Sequence, residues 1–207
     1  EIYQCDWSSD VCSSDLTLAS KFSARLAYAA ATELGGLYAV VNLASDFERV
    51  PLPRLDAAAW DRAMTTARAS YLLALAAARV MADNAGPVRG HLIFFSDWAA
   101  GPTPYRDYLP YLAAKASIDL LTRGFAVELA AQGILCNGIA PGPTIRPPDY
   151  PPEQWQVDVL GRTPLGRESS PDDIAALITT LLKSETITGE TIRVDAGRHL
   201  AGPGWPN

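Results

Sequence analysis

Three tyrosines and a lysine crowd the stretch YRDYLPYLAAK: Tyr105, Tyr108, Tyr111 and Lys115. The lysine is one of only three in a chain of 207 residues. A phenol with a pKa of about 10 is a poor proton donor or acceptor at neutral pH. A cation one helical turn away favours the phenolate and draws that pKa toward a useful range. On a helix, residues i and i+4 share a face. Tyr105 meets Leu109 at that spacing and Tyr108 meets Leu112, whereas Tyr111 meets Lys115. The Tyr111–Lys115 pair is therefore a candidate for acid–base work. A Tyr-x-x-x-Lys spacing also occurs in ordinary helices with a solvated lysine, so its meaning rests on its surroundings.

The surrounding pattern alternates helix and strand. Ala19–Leu34 reads as a helix with Phe22, Leu26, Ala29 and Ala30 on its apolar face, stopped by Gly35-Gly36. LYAVVNL (Leu37–Leu43) is a continuous apolar strand of the kind buried on both faces. An alanine-rich helix spans Ala57–Asp83, HLIFF is a second buried strand, and Ser96–Asp107 is a loop. The next helix runs from Pro110 to Ala131, with proline in the first turn, where its missing N–H costs nothing. ILCNGIA is a third strand, and Pro141–Pro152 a proline-rich excursion. SSPDDIAALITTLLK predicts a helix capped by Ser170, with Pro171 at its first position. ITGETIRVDAG turns at Gly189 into a last strand. Such alternation predicts an α/β fold with a parallel sheet and helices on both faces.

Composition narrows the function classes. The chain is 48% apolar and 19% charged, enough for one globular domain with a real core. A net charge of −6 with no basic stripe argues against nucleic acid and anionic membrane as partners. No apolar run is long enough to span a bilayer. Three cysteines without paired spacing and two histidines supply neither a disulfide scaffold nor a metal centre, and the cytoplasm is the expected location.

Collinear phrases then give the Tyr–Lys pair a context. VVNLAS (Val40–Ser45), HLIFFSD, NGIAPGP (Asn137–Pro143), TPLGRESSPDDIA and ITGETIRVDAG resemble the short-chain dehydrogenase/reductase family from about Ala19 to Leu200. The resemblance implies a Rossmann-like doubly wound parallel sheet and hydride transfer from a nicotinamide to a small-molecule substrate. It implies Tyr111 as proton donor, with Lys115 tuning it and holding the nicotinamide ribose. Asn42, Ala44, Pro141, Gly142 and Thr144 would line the cofactor, expected to be NADP(H) with NAD(H) left open. The complete protein is expected to be a homo-oligomer, a dimer or a tetramer built through the helix bearing Tyr111.

Two phrases point to the pteridine-reductase-like branch of that family. Reading GHLIFFSDWAAG against the strand puts Asp97 at the place of the third catalytic group, with Ser96 one position earlier as the alternative. ASDF (Ala44–Phe47) resembles a motif whose Phe stacks on a flat pterin ring, a sensible use of an aromatic face. Ser45, Phe47, Asp97, Tyr111, Tyr150 and Trp155 are the implied substrate-binding residues, the last two on a candidate lid. A carboxylate beside Tyr111 would by itself raise the phenol pKa, which suits a donor. With Ser96 in the catalytic place, the alternative is a 3-oxoacyl or carbonyl reductase of the same family.

Two departures stand against the resemblance. The helix WDRAMTTARASYLL offers Thr66 or Ala67 where many members carry a catalytic Asn. The family's opening strand, glycine-rich turn and helix, which approach the pyrophosphate, have no counterpart here. Residues 1–16, EIYQCDWSSDVCSSDL, differ in character from the rest and resemble translated sequencing-adapter read-through. The expected organisation is a non-native leader at 1–16 and a partial, incomplete Rossmann-fold catalytic domain at 17–207. On that reading the strand at Leu37–Leu43 becomes an exposed sheet edge, and the chain has weak activity or none. An inactive fragment, or a scaffold of this fold without catalysis, is then the non-enzymatic alternative.

Overall fold

A computed structural model describes residues 16–101 and 103–201. Among them four parallel strands lie side by side in chain order: β1 (Ala39–Asn42), β2 (Gly90–Phe95), β3 (Ile134–Pro141) and β4 (Thr191–Val194). Helix α1 (Leu16–Leu34) precedes β1, and α2 (Ala57–Met81) and α3 (Leu109–Glu128) connect the first three strands. A short helix α4 (Pro152–Asp158) and then α5 (Pro171–Lys183) lead to β4. The expected α/β class and parallel sheet are what the structure shows. Of the expected leader at 1–16, all but Leu16 lies outside the described residues.

The two faces of the sheet are covered differently. Even-numbered residues of β2 and β3, among them Leu92, Phe94, Ile134 and Cys136, pack on α2 and α3 through Ala74, Ala77, Met81, Ile118 and Phe125. Odd-numbered residues, Ile93 and Ile139, pack on α5 through Ile174 and Leu181. With both faces covered, β2 is the continuous apolar run that its sequence suggests. β1 is an edge strand, shorter than expected because Leu37 packs into the core while Leu43 turns out to solvent.

The connections differ in hand. From β1 to β4 the chain always steps the same way across the sheet, yet α2 and α3 lie on one face and α5 on the other. The β3–α5–β4 crossover therefore has the opposite hand to the first two, and one sheet cannot satisfy the right-handed preference in both.

Local signals explain the elements. Asp56 caps α2 by accepting from the Ala59 N–H at 2.7 Å, and Ser170 caps α5 by accepting from Asp173. α3 ends at Glu128, and residues 130–132 continue as a 3₁₀ turn closed by Gly133 in the left-handed region. α1 departs from its expected face: Phe22 is exposed, while Ser23 and Ala27 are buried with Ala30 and Ala31 beside them. Small side chains let α1 approach closely, and the larger ring cannot fit that seam. α5 is the helix that seals the odd-numbered face, with Leu181 wholly buried against it. Leu181→Ala is expected to lower stability by about 3 kcal/mol in urea unfolding, the usual cost of a buried leucine cavity.

Candidate active site

The carboxyl ends of the strands collect the chemistry-bearing residues, as expected for a doubly wound sheet. β2 ends at Phe95 and delivers Ser96 and Asp97. The first two turns of α3 carry Tyr111 and Lys115 across from them. The loop after β1 brings Phe47. That loop is held by Val50 N donating to Asp107 O at 2.6 Å and by the Arg49–Asp107 ion pair at 2.5 Å. Asp107 sits at φ 69°, a left-handed conformation that aspartate tolerates better than most residues.

Asp97 is the hub. Its Oδ2 accepts from the Tyr111 hydroxyl at 2.8 Å and from the Tyr105 hydroxyl at 3.2 Å. Its Oδ1 accepts from the Ala99 N–H at 2.8 Å. Ser96 is turned away, with its hydroxyl donating to the Lys115 carbonyl at 3.2 Å. Lys115 is only 3% exposed, and its ammonium donates to the Phe95 carbonyl at 2.8 Å. The same nitrogen lies 5.7 Å from the centre of the Tyr111 ring. A cleft opens beside the pair, lined by Tyr111, Lys115, Thr66, Ala63, Asp46 and Glu48 among others.

The electrostatics reverse one expectation. Lys115 does not draw the phenol pKa down. Burial pushes the Tyr111 phenol far above its ordinary value, and the Asp97 charge pushes it further. The ammonium addresses a backbone carbonyl and the ring rather than the hydroxyl. Burial also raises the Asp97 carboxyl, against opposition from the Ala99 N–H, Tyr111, Lys115 and Tyr105. Lys115 itself is pushed down to about 8 by burial, with Asp97 and Asp119 opposing. Tyr111 is therefore a reluctant phenolate that holds its proton.

The remaining candidates fall into two groups. Asn42 is buried at the end of β1, donating to Ser70 Oγ at 2.8 Å and accepting from the Ala44 N–H. Pro141 and Gly142 end β3. A Cβ on Gly142 would lie 2.6 Å from Asp195 Cα, so only glycine fits there, and the Thr144 hydroxyl donates to the Gly142 carbonyl. Ser45 is exposed, and its hydroxyl donates to the carbonyl of its neighbour Asp46. Phe47 stacks on Tyr108 with ring centres 4.5 Å apart and meets the Tyr111 ring edge-on at 4.9 Å.

The two lid residues are not brought to Tyr111. Trp155 is buried, with its indole N–H on Glu168 at 2.7 Å and its ring against Tyr150; it anchors the segment. Tyr150 donates to Asp158. Sequence reasoning missed Tyr105 and Tyr108. The equal spacing of the three tyrosines was the available signal, but helical geometry was applied to residues that precede the helix.

The sheet, with a Tyr–Lys pair and a half-buried carboxylate at its carboxyl edge, has the arrangement of a Rossmann-like α/β oxidoreductase. A family profile described as enoyl-(acyl carrier protein) reductase matches residues 4–199. Pteridine reductase 1 of Leishmania tarentolae is 34% identical over 205 residues, covering 89% of this chain and 70% of that protein. 2-(S)-hydroxypropyl-CoM dehydrogenase 3 of Xanthobacter autotrophicus is 31% identical over 193 residues, covering 88% and 74%. The crystal structure of FolM alternative dihydrofolate reductase 1 from Brucella suis, in complex with NADP, is also similar. It has a TM-score of 0.79 at 26% identity, covering 89% of this chain and 73% of that one. The chain belongs to the short-chain dehydrogenase/reductase family of oxidoreductases.

Among the described residues no helix is long and apolar enough to cross a membrane, and no group of three or more His, Cys, Asp or Glu could hold a metal. The buried ammonium has a stability signature. A lysine with a folded pKa of about 8 against an ordinary 10.5 binds its proton more weakly when folded, so it opposes folding fully below pH 8. That penalty fades as pH rises from 8 to 10.5. Lys115→Met is therefore expected to be more stable than the unmodified chain at pH 7, with the gap closing by pH 10.5. Urea unfolding at the two pH values reads both.

Proposed function

We propose that this site reduces the C=N bond of a flat, pteridine-like ring with NADPH as hydride source. The observation that carries the reading is the 2.8 Å hydrogen bond from Tyr111 to Asp97, where the sequence offered Ser96 as the rival. The first aromatic beyond it, Phe47, presents a flat face to Tyr108 at the mouth, the chemistry that suits a planar heterocycle.

The residues present fit the nicotinamide end of such a cofactor. An ammonium has three donors, and Lys115 uses one, on Phe95, among the described residues. A buried charge with unused donors calls for acceptors such as a ribose diol. Ser169 Oγ, buried without a partner, lies beside the Pro141–Gly142 turn and offers another polar contact. Bound there, the reduced nicotinamide supplies the hydride.

The chain's own work is then proton delivery. A phenol raised this far does not part with its proton alone beside a carboxylate. Burial raises the Asp97 carboxyl, and in this proposal it is the protonated form of Asp97 that donates to the Tyr111 oxygen. Tyr111 turns its hydrogen to the substrate nitrogen, and the two protons move in concert: the nitrogen gains one, Tyr111 is refilled, and Asp97 is left as the carboxylate. Tyr111 and Asp97 are the catalytic pair of this proposal.

The proposal extends to a cytoplasmic dimer or tetramer. Leu120 and Val127, 64% and 76% exposed on the outer side of α3, supply apolar surface for such an assembly.

Tyr111→Phe is expected to lower turnover at least about 100-fold, the ordinary worth of a placed general acid. The assay follows NADPH consumption with a dihydropteridine and, separately, with a 3-oxoacyl thioester. Turnover of only the thioester overturns the pteridine reading. A lack of saturable NADPH binding by this chain overturns catalysis by it, leaving a fragment or scaffold.

A further inference from the structure

Asp97 holds a second phenol that the proton transfer above does not use. Tyr105 Oη lies 3.2 Å from the same Oδ2 that accepts from Tyr111. Tyr105 is not on the helix; it belongs to the loop ahead of it. Its ring is packed against Trp98 at 5.9 Å and Tyr108 at 5.1 Å, with Phe47 at 6.5 Å. Three rings from two connections, the β1–α2 loop and the β2–α3 loop, fix the position of one hydroxyl, which is more ordering than a filler residue needs.

We propose that Tyr105 is a positioning residue of this site: its hydroxyl locks the Asp97 carboxyl in the orientation that serves Tyr111 and forms the outer link through which Asp97 is resupplied with protons. The inference rests on the function proposed above.

The Ala99 N–H holds Oδ1 and the Tyr111 hydroxyl holds Oδ2, one donor to each oxygen. A second donor on Oδ2, from another direction of the chain, narrows the range of the last torsion further. When Asp97 is protonated and donates to Tyr111, Oδ2 still accepts from Tyr105. Every hydroxyl in Tyr105→Asp97→Tyr111→substrate then points the same way. Once the transfer to the substrate nitrogen has left Asp97 as the carboxylate, Tyr105 passes its proton inward to Oδ2 and takes one from a solvent hydronium ion or buffer acid. The O–H bond broken on Tyr105 is replaced by one formed from solvent, and the carboxyl is restored with one solvent proton consumed.

The groups that bear on Asp97 come from each neighbouring element. Tyr111 and Lys115 reach it from α3, Tyr105 reaches it from the preceding loop, and the backbone N–H of Ala99 faces it from its own loop. Arg198, after β4, caps the outer ring of the group by lying 5.4 Å from the Trp98 ring. Tyr108 touches Tyr105 but makes no hydrogen bond to Asp97, which makes it the control.

The test is a pH titration of the Asp97 side-chain carboxyl by ¹³C NMR on the full chain, which needs neither cofactor nor turnover. Tyr105→Phe keeps the ring and removes only the hydroxyl. Losing a donor to the ionised form is expected to move the Asp97 midpoint up by about one pH unit, and Tyr108→Phe to leave it in place. In the unmodified chain the Tyr105 Cζ signal is expected to titrate with the Asp97 midpoint, a reading that does not depend on any variant folding. An unmoved midpoint in Tyr105→Phe, an equal move in Tyr108→Phe, or a flat Tyr105 trace overturns the inference. With substrate, Tyr105→Phe is expected to lower kcat about 10-fold with KM unchanged, and an unchanged kcat overturns the relay. Full turnover by Tyr111→Phe alongside a shifted Asp97 midpoint would sink the proposed function and leave the Tyr105–Asp97 link standing.

Discussion

The site depends on a buried ammonium. Lys115 is enclosed where α3 crosses the end of β2, and a charge in that position is tolerable only with an acceptor at hand. The acceptor is the carbonyl of Phe95, the last residue of β2, so the bond joins helix to strand at the point where the strand releases Asp97. Ser96 completes the join from the other side by donating to the carbonyl of Lys115 itself. Each contact runs from a side chain on one side to a main-chain carbonyl on the other, so the Lys115 and Ser96 rotamers together set the spacing between β2 and α3. The Asp97–Tyr111 hydrogen bond inherits its length from that spacing.

Much of this was legible in the sequence, for reasons that can be named. The capped α5, the apolar runs of β2 and β3 and the proline opening α3 are local signals, and the structure follows them. The i, i+4 rule placed Tyr111 and Lys115 on one face. It could not say where a side chain of four methylenes ends, and Lys115 finds a carbonyl that no sequence pattern advertises. The sign of the Tyr111 shift follows from that and from burial, neither of which is a property of spacing. Asp97 was picked out by resemblance, and its second phenol was not, because the Tyr105–Asp97 contact arises from a loop turned by a left-handed Asp107. On α1 the error was one of amphipathic phase: alanines populate several faces of that helix, and hydropathy favours burying Phe22, whereas close helix packing favours Ser23 and Ala27.

The aromatic residues around the hub come from separate segments. Phe47 arrives from the loop after β1, Trp98 from the loop after β2, and Tyr105, Tyr108 and Tyr111 from the approach to α3. Edge-to-face and stacked contacts between them exclude water from the Asp97 carboxyl, and that exclusion is the leading cause of its raised pKa. Residues 150–168 carry bonds of their own, Trp155 to Glu168 and Tyr150 to Asp158.

The reversed crossover also divides the site. The β3–β4 connection, residues 142–190, is about as long as the β1–β2 connection, residues 43–89, but it passes over the other face of the sheet. Of the atoms crowding Gly142, those of Ser169 lie on that connection and those of Asp195 just beyond β4. Asp97 and Tyr111 belong instead to the β2–α3 crossover on the opposite face. The carboxyl edge of the sheet is thus a seam at which crossovers of opposite hand meet, and a substitution on either side of it can be read independently of the other.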